Sequence, residues 1–322
     1  MRNRHLRLSL VPLVVGYLFL VGYMTLSQDR LLYLPDPTPP SETNLRPLPG
    51  LELAPWPRED VADFRGYVRA RPPSLGAAES LGGTTVSHIS PSSATPPPLN
   101  HPTPRGTVLL FHGNAGTARG RAHYLEALES LGVRVVLAEY PGYGGRQGEL
   151  SEASLVADGR ETLRQVRATF GDPVWVWGES MGAAVAAQVG GDPAQPAAGV
   201  FLITPWDNLP DLAQSIYWYL PARWLVRDRY DSRAALRLFD GPIGMLIAGQ
   251  DSIIPPEHSQ GLYAALPEPK RQWFFPTADH NNWPARPREQ WWAEALDWLN
   301  EQERLKPRQT IEPQPPRNSV NR

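Results

Sequence analysis

Ser180 lies in Gly178-Glu179-Ser180-Met181-Gly182, with Val174-Trp175-Val176-Trp177 running into it and the small-residue segment Ala183 to Val189 running out of it. That order reads as a strand, a glycine-flanked serine and a helix. Glycines two positions to either side let the backbone turn sharply, which lifts the Ser180 hydroxyl clear at the carboxyl edge of a sheet and makes it a candidate nucleophile. An unaided hydroxyl is a poor nucleophile at neutral pH, so it needs a histidine to take its proton and a carboxylate to orient that histidine. Downstream of Ser180 stand His258 and His280. His280 sits in the polar loop Thr277-Ala278-Asp279-His280-Asn281-Asn282, directly after the strand-like Gln272-Trp273-Phe274-Phe275, and is the candidate base. His258 follows Pro255-Pro256-Glu257 at a helix start and reads as a surface residue.

Two carboxylates compete for the third position. Asp251 ends the buried-strand run Ile243 to Gly249 and precedes Ile253-Ile254-Pro255, which puts it on the same sheet edge as Ser180. Asp207 follows the strand Val200 to Ile203 through Thr204-Pro205-Trp206 and is the alternative acid, its other reading being an N-cap or turn residue. Asp251 is preferred, because its turn of glycine followed by aspartate is the usual form of an acid loop. The oxyanion of a tetrahedral intermediate needs two N–H donors. Met181, next after the serine, supplies one. Asn114 supplies the other, with Ala115 beside it, from the loop after the strand Gly106 to Phe111. His112 precedes Ser180 and reads as a packing residue that shapes that loop.

Taken together, His112-Gly113-Asn114-Ala115-Gly116, Glu139-Tyr140-Pro141-Gly142-Tyr143-Gly144, Gly178 to Gly182, Thr204-Pro205-Trp206-Asp207, Gly249-Gln250-Asp251 and Asp279-His280-Asn281 resemble the α/β-hydrolase superfamily. Within it the chain resembles the small, membrane-tethered, serine aminopeptidase-like branch. The resemblance spans roughly residues 60 to 300 and implies the fold, a Ser-Asp-His triad and hydrolysis through an acyl-enzyme. It implies no substrate, because one scaffold hosts many chemistries.

The elements that must position these residues agree. Strand-like runs at 133–139, 174–177, 199–203, 243–248 and 272–275 alternate with helix-like segments at 120–131, 152–168, 180–189, 256–266 and 288–304. Alternation of this kind predicts a mostly parallel sheet with helices on both faces. One catalytic domain is expected over 60–305, with a helical cap at about 207–239 rich in aromatics, among them Tyr217, Trp218, Tyr219, Trp224 and Tyr230. Most of these rings are read as packing the cap onto the core. The 36 prolines cluster outside the expected elements. They mark a linker at 31–59, an insertion at about 72–104 and a tail at 306–322, the last two with the composition of disordered segments.

Residues 1–30 carry the other strong signal. Leu8 to Leu26 contains no charged residue and would extend about 28 Å as a helix, close to the hydrocarbon thickness of a bilayer. Arg2, Arg4 and Arg7 precede it, which predicts a single-pass anchor with the catalytic domain on the non-cytoplasmic side. A cleaved signal peptide and a secreted enzyme are the alternative, disfavoured by the length of the run and by the lack of an Ala-x-Ala site.

With no cysteine there is no disulfide, thiol nucleophile or thiolate metal site. A formal net charge of −2 without basic runs argues against nucleic acid as a partner. No phosphate loop or metal-ligand spacing stands out, so no cofactor and no metal are expected, and no obligate protein partner is inferred. The expected function is a serine hydrolase acting on an ester, thioester or amide of a small or acyl substrate. The alternatives are an aminopeptidase, whose substrate amine would need cap carboxylates such as Asp211, Asp228 or Asp231, and a catalytically silent binding or scaffold protein at the membrane.

Overall fold

The computed structural model describes residues 2–36, 53–57, 63–69 and 104–306. The expected insertion, the tail and most of the expected linker lie outside the described residues. The chain begins with a long helix, α1 (Arg2–Leu32), followed by a two-residue strand, β1 (Leu34–Pro35). Its segment Leu10–Leu32, 23 residues, is long and apolar enough to cross a membrane by length and composition. Pro12 sits inside it, as membrane helices tolerate.

Among the described residues one large sheet holds eight strands. At one edge β2 (Leu53–Trp56) and β3 (Gly66–Arg69) run antiparallel, and β3 pairs antiparallel with β6 (Arg134–Ala138). From β6 the sheet is parallel through β4 (Thr107–Phe111), β7 (Val174–Glu179), β8 (Gly199–Ile203) and β9 (Ile243–Ala248) to β10 (Lys270–Phe275). The linker expected at 31–59 therefore contains two strands, β1 and β2. Pro55 obscured β2; a proline donates nothing to a ladder and is tolerated in an edge strand such as this one.

Strand alternation sends side chains to two cores, one on each face. Val174 and Val176 of β7 face α4 (Met181–Gly190), whose alanines let it lie close, together with α3 (Glu152–Phe170) and α8 (Pro256–Ala265). Trp175 and Trp177 face the other way, toward α2 (His123–Glu129) and α9 (Gln290–Leu305). There Trp177 stacks on Phe201 at 4.3 Å and Trp291 on Trp292 at 3.9 Å. One strand thus carries a small face and a large one, matched to an alanine-rich helix and a tryptophan-rich helix.

Between β8 and β9 the chain leaves the sheet to form the cap: α5 (Leu209–Ile216), α6 (Ala222–Leu225) and α7 (Ser232–Leu236). Asn208 caps α5 by accepting from Asp211 N at 2.9 Å, and Asp231 caps α7 by accepting from Ala234 N at 2.8 Å. The cap lies along α1. Tyr17 Oη donates to the Tyr219 carbonyl at 3.1 Å, Arg227 N donates to Gln28 Oε1 at 2.8 Å, and the Arg227 guanidinium holds both Asp29 oxygens at 2.9 Å.

Trp292 is fully buried within the large-residue face. Trp292→Ala should destabilise the folded protein by about 3–5 kcal/mol in denaturant titrations. Leu238→Ala, at a side chain 79% exposed, should stay within about 0.5 kcal/mol of the parent.

Candidate active site

All the parallel strands end on the same edge, so the loops after β4, β7, β8, β9 and β10 meet there, where open α/β sheets bind ligands. Ser180 sits in the turn between β7 and α4 with φ 57° and ψ −120°, a region that non-glycine residues seldom occupy. The turn is held by Ser180 N donating to the Ile203 carbonyl at 2.9 Å. The flanking glycines are required by space. A Cβ on Gly178 would lie 2.0 Å from the Gly182 carbonyl oxygen, and one on Gly182 would lie 2.2 Å from that of Phe111.

His280, in the loop after β10, brings Nε2 to 2.9 Å from Ser180 Oγ and Nδ1 to 2.8 Å from Asp251 Oδ2. All three residues are buried to within a tenth of their surface. The other Asp251 oxygen accepts from Ile253 N at 3.0 Å and Ile254 N at 2.7 Å, which fixes the carboxylate before the histidine is considered. Asp279 steadies the histidine loop by accepting from His280 N at 2.7 Å and Ser252 N at 2.7 Å. Those hydrogen bonds hold the Asp279 carboxyl below its ordinary pKa. A line of hydroxyl, imidazole and carboxylate at these separations can move a proton from serine to histidine while the carboxylate favours the imidazolium.

Asp207 is turned elsewhere. Its Oδ1 faces His258 Nδ1 at 2.8 Å and its Oδ2 accepts from Arg233 at 2.8 Å. His258 Nε2 meets Ser215 Oγ at 3.0 Å, and that hydroxyl donates to the Leu212 carbonyl at 2.8 Å. His258 is therefore no free surface residue. It joins α8 to the cap helix α5 and to the loop after β8, a role that sequence reading missed because its partners are 43 and 51 positions away. Burial would raise the Asp207 pKa, but the hydrogen bonds from His258 and Asn208 N and the nearby charges outweigh it and hold the carboxyl low.

Met181 N opens α4, where backbone N–H groups have no partner within the helix. The Asn114 carbonyl accepts from Leu34 N at 2.9 Å and from Tyr143 Oη at 2.9 Å, and Asn114 Nδ2 donates to the Leu32 carbonyl at 3.0 Å. Its loop is thus clamped from one side by the end of α1, and β1 pairs with β5 (Ala115–Gly116). From the other side His112 holds it: Nδ1 meets the Gly113 carbonyl at 2.7 Å and Nε2 meets Glu139 Oε1 at 3.0 Å, all buried. Beneath the serine turn Glu179 binds Arg121 and Tyr124, each at 3.0 Å.

The serine and histidine open into a cavity of about 520 Å³ whose lining includes Gly113, Asn114, Ser180 and His280. Much of its lining is apolar: Leu212, Ile216, Leu220 and Leu225 from the cap, and Met24 and Leu32 from α1, with Thr25 and Gln28 beside them. The cap carboxylates considered for an amine are engaged. Asp211 pairs with Arg223 at 2.9 Å, Asp228 accepts from Tyr33 Oη at 2.6 Å, and Asp231 caps α7. Among the described residues no group of three or more histidine, aspartate and glutamate side chains is placed to hold a metal ion.

Comparison with known proteins accords with this architecture. A family model described as serine aminopeptidase, S33, matches residues 102–228. An uncharacterised protein of Mycobacterium tuberculosis, MT2364, is 32% identical over 266 residues, 81% of this chain and 83% of that one. The chain belongs to the serine aminopeptidase-like α/β-hydrolases. This hydrolase is also 30% identical over 175 residues to the lysophosphatidylserine lipase ABHD12 of Danio rerio, a match covering 48% of this chain and 46% of that protein. Est1E of Butyrivibrio proteoclasticus, solved with ferulic acid bound, superposes with a TM-score of 0.50 at 15% identity, over 64% of this chain and 92% of that one. That last likeness speaks to the fold alone.

The hydrolase should show an acid-labile cap. A carboxyl whose folded pKa is depressed adds stability that is complete above its unfolded value, 3.8, and is lost as pH falls through the folded value. Asp207→Asn should remove that component, so stability of the variant should fall less than that of the parent between pH 5 and pH 2 in thermal unfolding scans. Parallel curves would show that Asp207 contributes nothing.

Proposed function

We propose that the protein is a membrane-anchored serine hydrolase that cleaves acyl esters carrying one apolar chain. The observation that carries this reading is the line Ser180, His280, Asp251 at the base of an apolar cavity of about 520 Å³, a size suited to a small-molecule ligand. Ser180 Oγ attacks the ester carbonyl carbon as its proton passes to His280 Nε2, and the Asp251 carboxylate steadies the imidazolium through Nδ1–H. The carbonyl oxygen, now negative, is received by the N–H groups of Met181 and Asn114. Collapse breaks the bond to the leaving alcohol, which takes the proton from His280 and leaves the acyl group on Ser180. Water, deprotonated by His280, then attacks the acyl carbon; the bond to Ser180 Oγ breaks, the serine takes the proton back from His280, and the acid leaves.

An apolar lining favours an acyl chain over a peptide, and the engaged cap carboxylates leave little to hold a free N-terminal amine. The likeness to proteins named lysophosphatidylserine lipases is in keeping with a single-chain amphiphile. The same constellation, filled and hydrogen-bonded, weighs against a silent scaffold. For the anchor, the support is that α1 runs on to Leu32 beyond the site where a signal peptide would be cut, with Gln28, Asp29 and Tyr33 bonded to the cap. With Arg2, Arg4 and Arg7 on the cytoplasmic side, the catalytic domain lies outside.

In the full-length protein in detergent, a fluorophosphonate probe should label the parent and leave Ser180→Ala unlabelled. Asp251→Asn should lower kcat by on the order of 10⁴, and Asp207→Asn by far less. For p-nitrophenyl esters kcat/KM should climb with acyl length, while aminoacyl anilides should turn over poorly. Equal labelling of parent and Ser180→Ala, or a preference for the anilides, would overturn the reading.

A further inference from the structure

The cap presents large side chains to the outside. Trp218 is 78% exposed and Trp224 80% exposed, with Tyr219 and Ile216 exposed beside them. Large aromatic side chains on an open surface are expensive in water and are favoured within the hydrocarbon or, for tryptophan and tyrosine, where a membrane meets water. The patch is also continuous with α1, because Tyr17, inside the apolar run Leu10–Leu32, donates to the carbonyl of Tyr219 at 3.1 Å. Whatever depth α1 gives Tyr17, Tyr219 shares.

That depth follows from the proposed anchor, on which this inference rests. About 20 helical residues cross the hydrocarbon. With Arg7 held at the cytoplasmic boundary, the outer boundary falls at about residue 27. Tyr17 then lies about 15 Å inside it. Gln28, which donates to the Leu225 carbonyl at 3.4 Å, lies at the boundary itself. The cap contacts α1 at both levels, so its surface is graded in depth. Trp218, next to Tyr219, sits deep, and Trp224, next to Leu225, sits near the headgroups. Arg223, beside Trp224, is paired with Asp211 at 2.9 Å, as a charge near the headgroup level should be.

We propose that the cap tip bearing Trp218 and Trp224 is inserted in the non-cytoplasmic leaflet beside α1, and that substrate reaches Ser180 sideways from that leaflet. The cavity supports the second half: its lining includes Met24, Thr25 and Gln28 of α1 and Ile216, Leu220 and Leu225 of the cap, the segments that the insertion places among lipids. The substrate is then an ester resident in the bilayer, delivered without crossing water. The occupant of the patch is the phospholipid leaflet, and neither Trp218 nor Trp224 lines the cavity.

The chain has no cysteine, so single cysteines can carry an environment-sensitive fluorophore in the full-length protein, reconstituted into phosphatidylcholine and phosphatidylglycerol vesicles containing nitroxide-labelled lipids. Val14→Cys reports the anchor, Trp218→Cys and Trp224→Cys the cap, and Leu238→Cys, equally exposed but before the amino end of β9, the far side. Acyl-chain nitroxides should quench at 14 and 218, headgroup nitroxides more at 224 than at 218, and neither at 238. Quenching at 14 without quenching at 218 and 224 would overturn the proposal and leave the anchor standing, including the case in which a second protein copy covers the patch. No quenching at 14 would remove the anchor and the proposal with it. As a second measurement, Trp218→Glu with Trp224→Glu should cut hydrolysis of a long-chain ester held in vesicles by at least about tenfold. Turnover of dissolved p-nitrophenyl butyrate should stay unchanged, which also shows that the variant is folded. Equal loss on both substrates, or no loss on the vesicle ester, would overturn the sideways route.

Discussion

The constraint on which the site depends is steric: the first turn of α4 lies so near the ends of β7 and β4 that only hydrogen fits at Gly178 and Gly182. That contact sets the height at which Ser180 emerges and obliges it to adopt φ 57°. The strain is retained because the surroundings over-determine it. On one side stand the Ile203 carbonyl and the close-packed alanines of α4; on the other, the β4 backbone. Once the serine is placed, the parallel strands bring His280 and Asp251 to it from successive edge positions, β10 and β9. Gly249 N to the Phe275 carbonyl at 2.8 Å and Gln250 N to the Ala278 carbonyl at 2.8 Å bind the two loops into one body.

Around this centre several buried polar groups are tied to one another. His112 with Glu139, Glu179 with Arg121 and Tyr124, and Asp207 with His258 and Arg233 each join segments that the sheet alone would leave independent. Such sets are stabilising only while complete, because removing one member leaves another buried without a partner. Their common function here is positional. They hold the loop after β4, the serine turn and the cap in fixed relation to the sheet.

Much of this was legible in the sequence because the relevant signals are local. Ile243 to Ala248 reads as a buried strand from its own composition and is one; glycines and prolines punctuate the loops that carry Ser180, Asp251 and His280, and the structure brings those three side chains together. What escaped was non-local or disguised. His258 looked idle because Asp207 and Ser215 approach it only through the tertiary fold. β2 was masked by Pro55. The helix α1 read as an anchor alone, since an apolar run reveals nothing of the face formed by Met24, Thr25 and Gln28, which borders the cavity. The expectation that most cap aromatics pack inward failed, since Trp218, Tyr219 and Trp224 are exposed, whereas Tyr230 is buried as expected.

The clamp between the end of α1 and the loop after β4 makes those two segments a single thermodynamic unit. Leu32 and Leu34 restrict Asn114 through one hydrogen bond each, so the order of the loop and the order of the helix end enter the same equilibrium. Linkage is reciprocal: whatever immobilises the helix end lowers the entropy left for the loop to lose, and whatever engages the loop tightens the helix end by the same free energy. Cutting the chain anywhere between them would therefore yield a different ensemble at residue 114, and not merely the same molecule in a more soluble form.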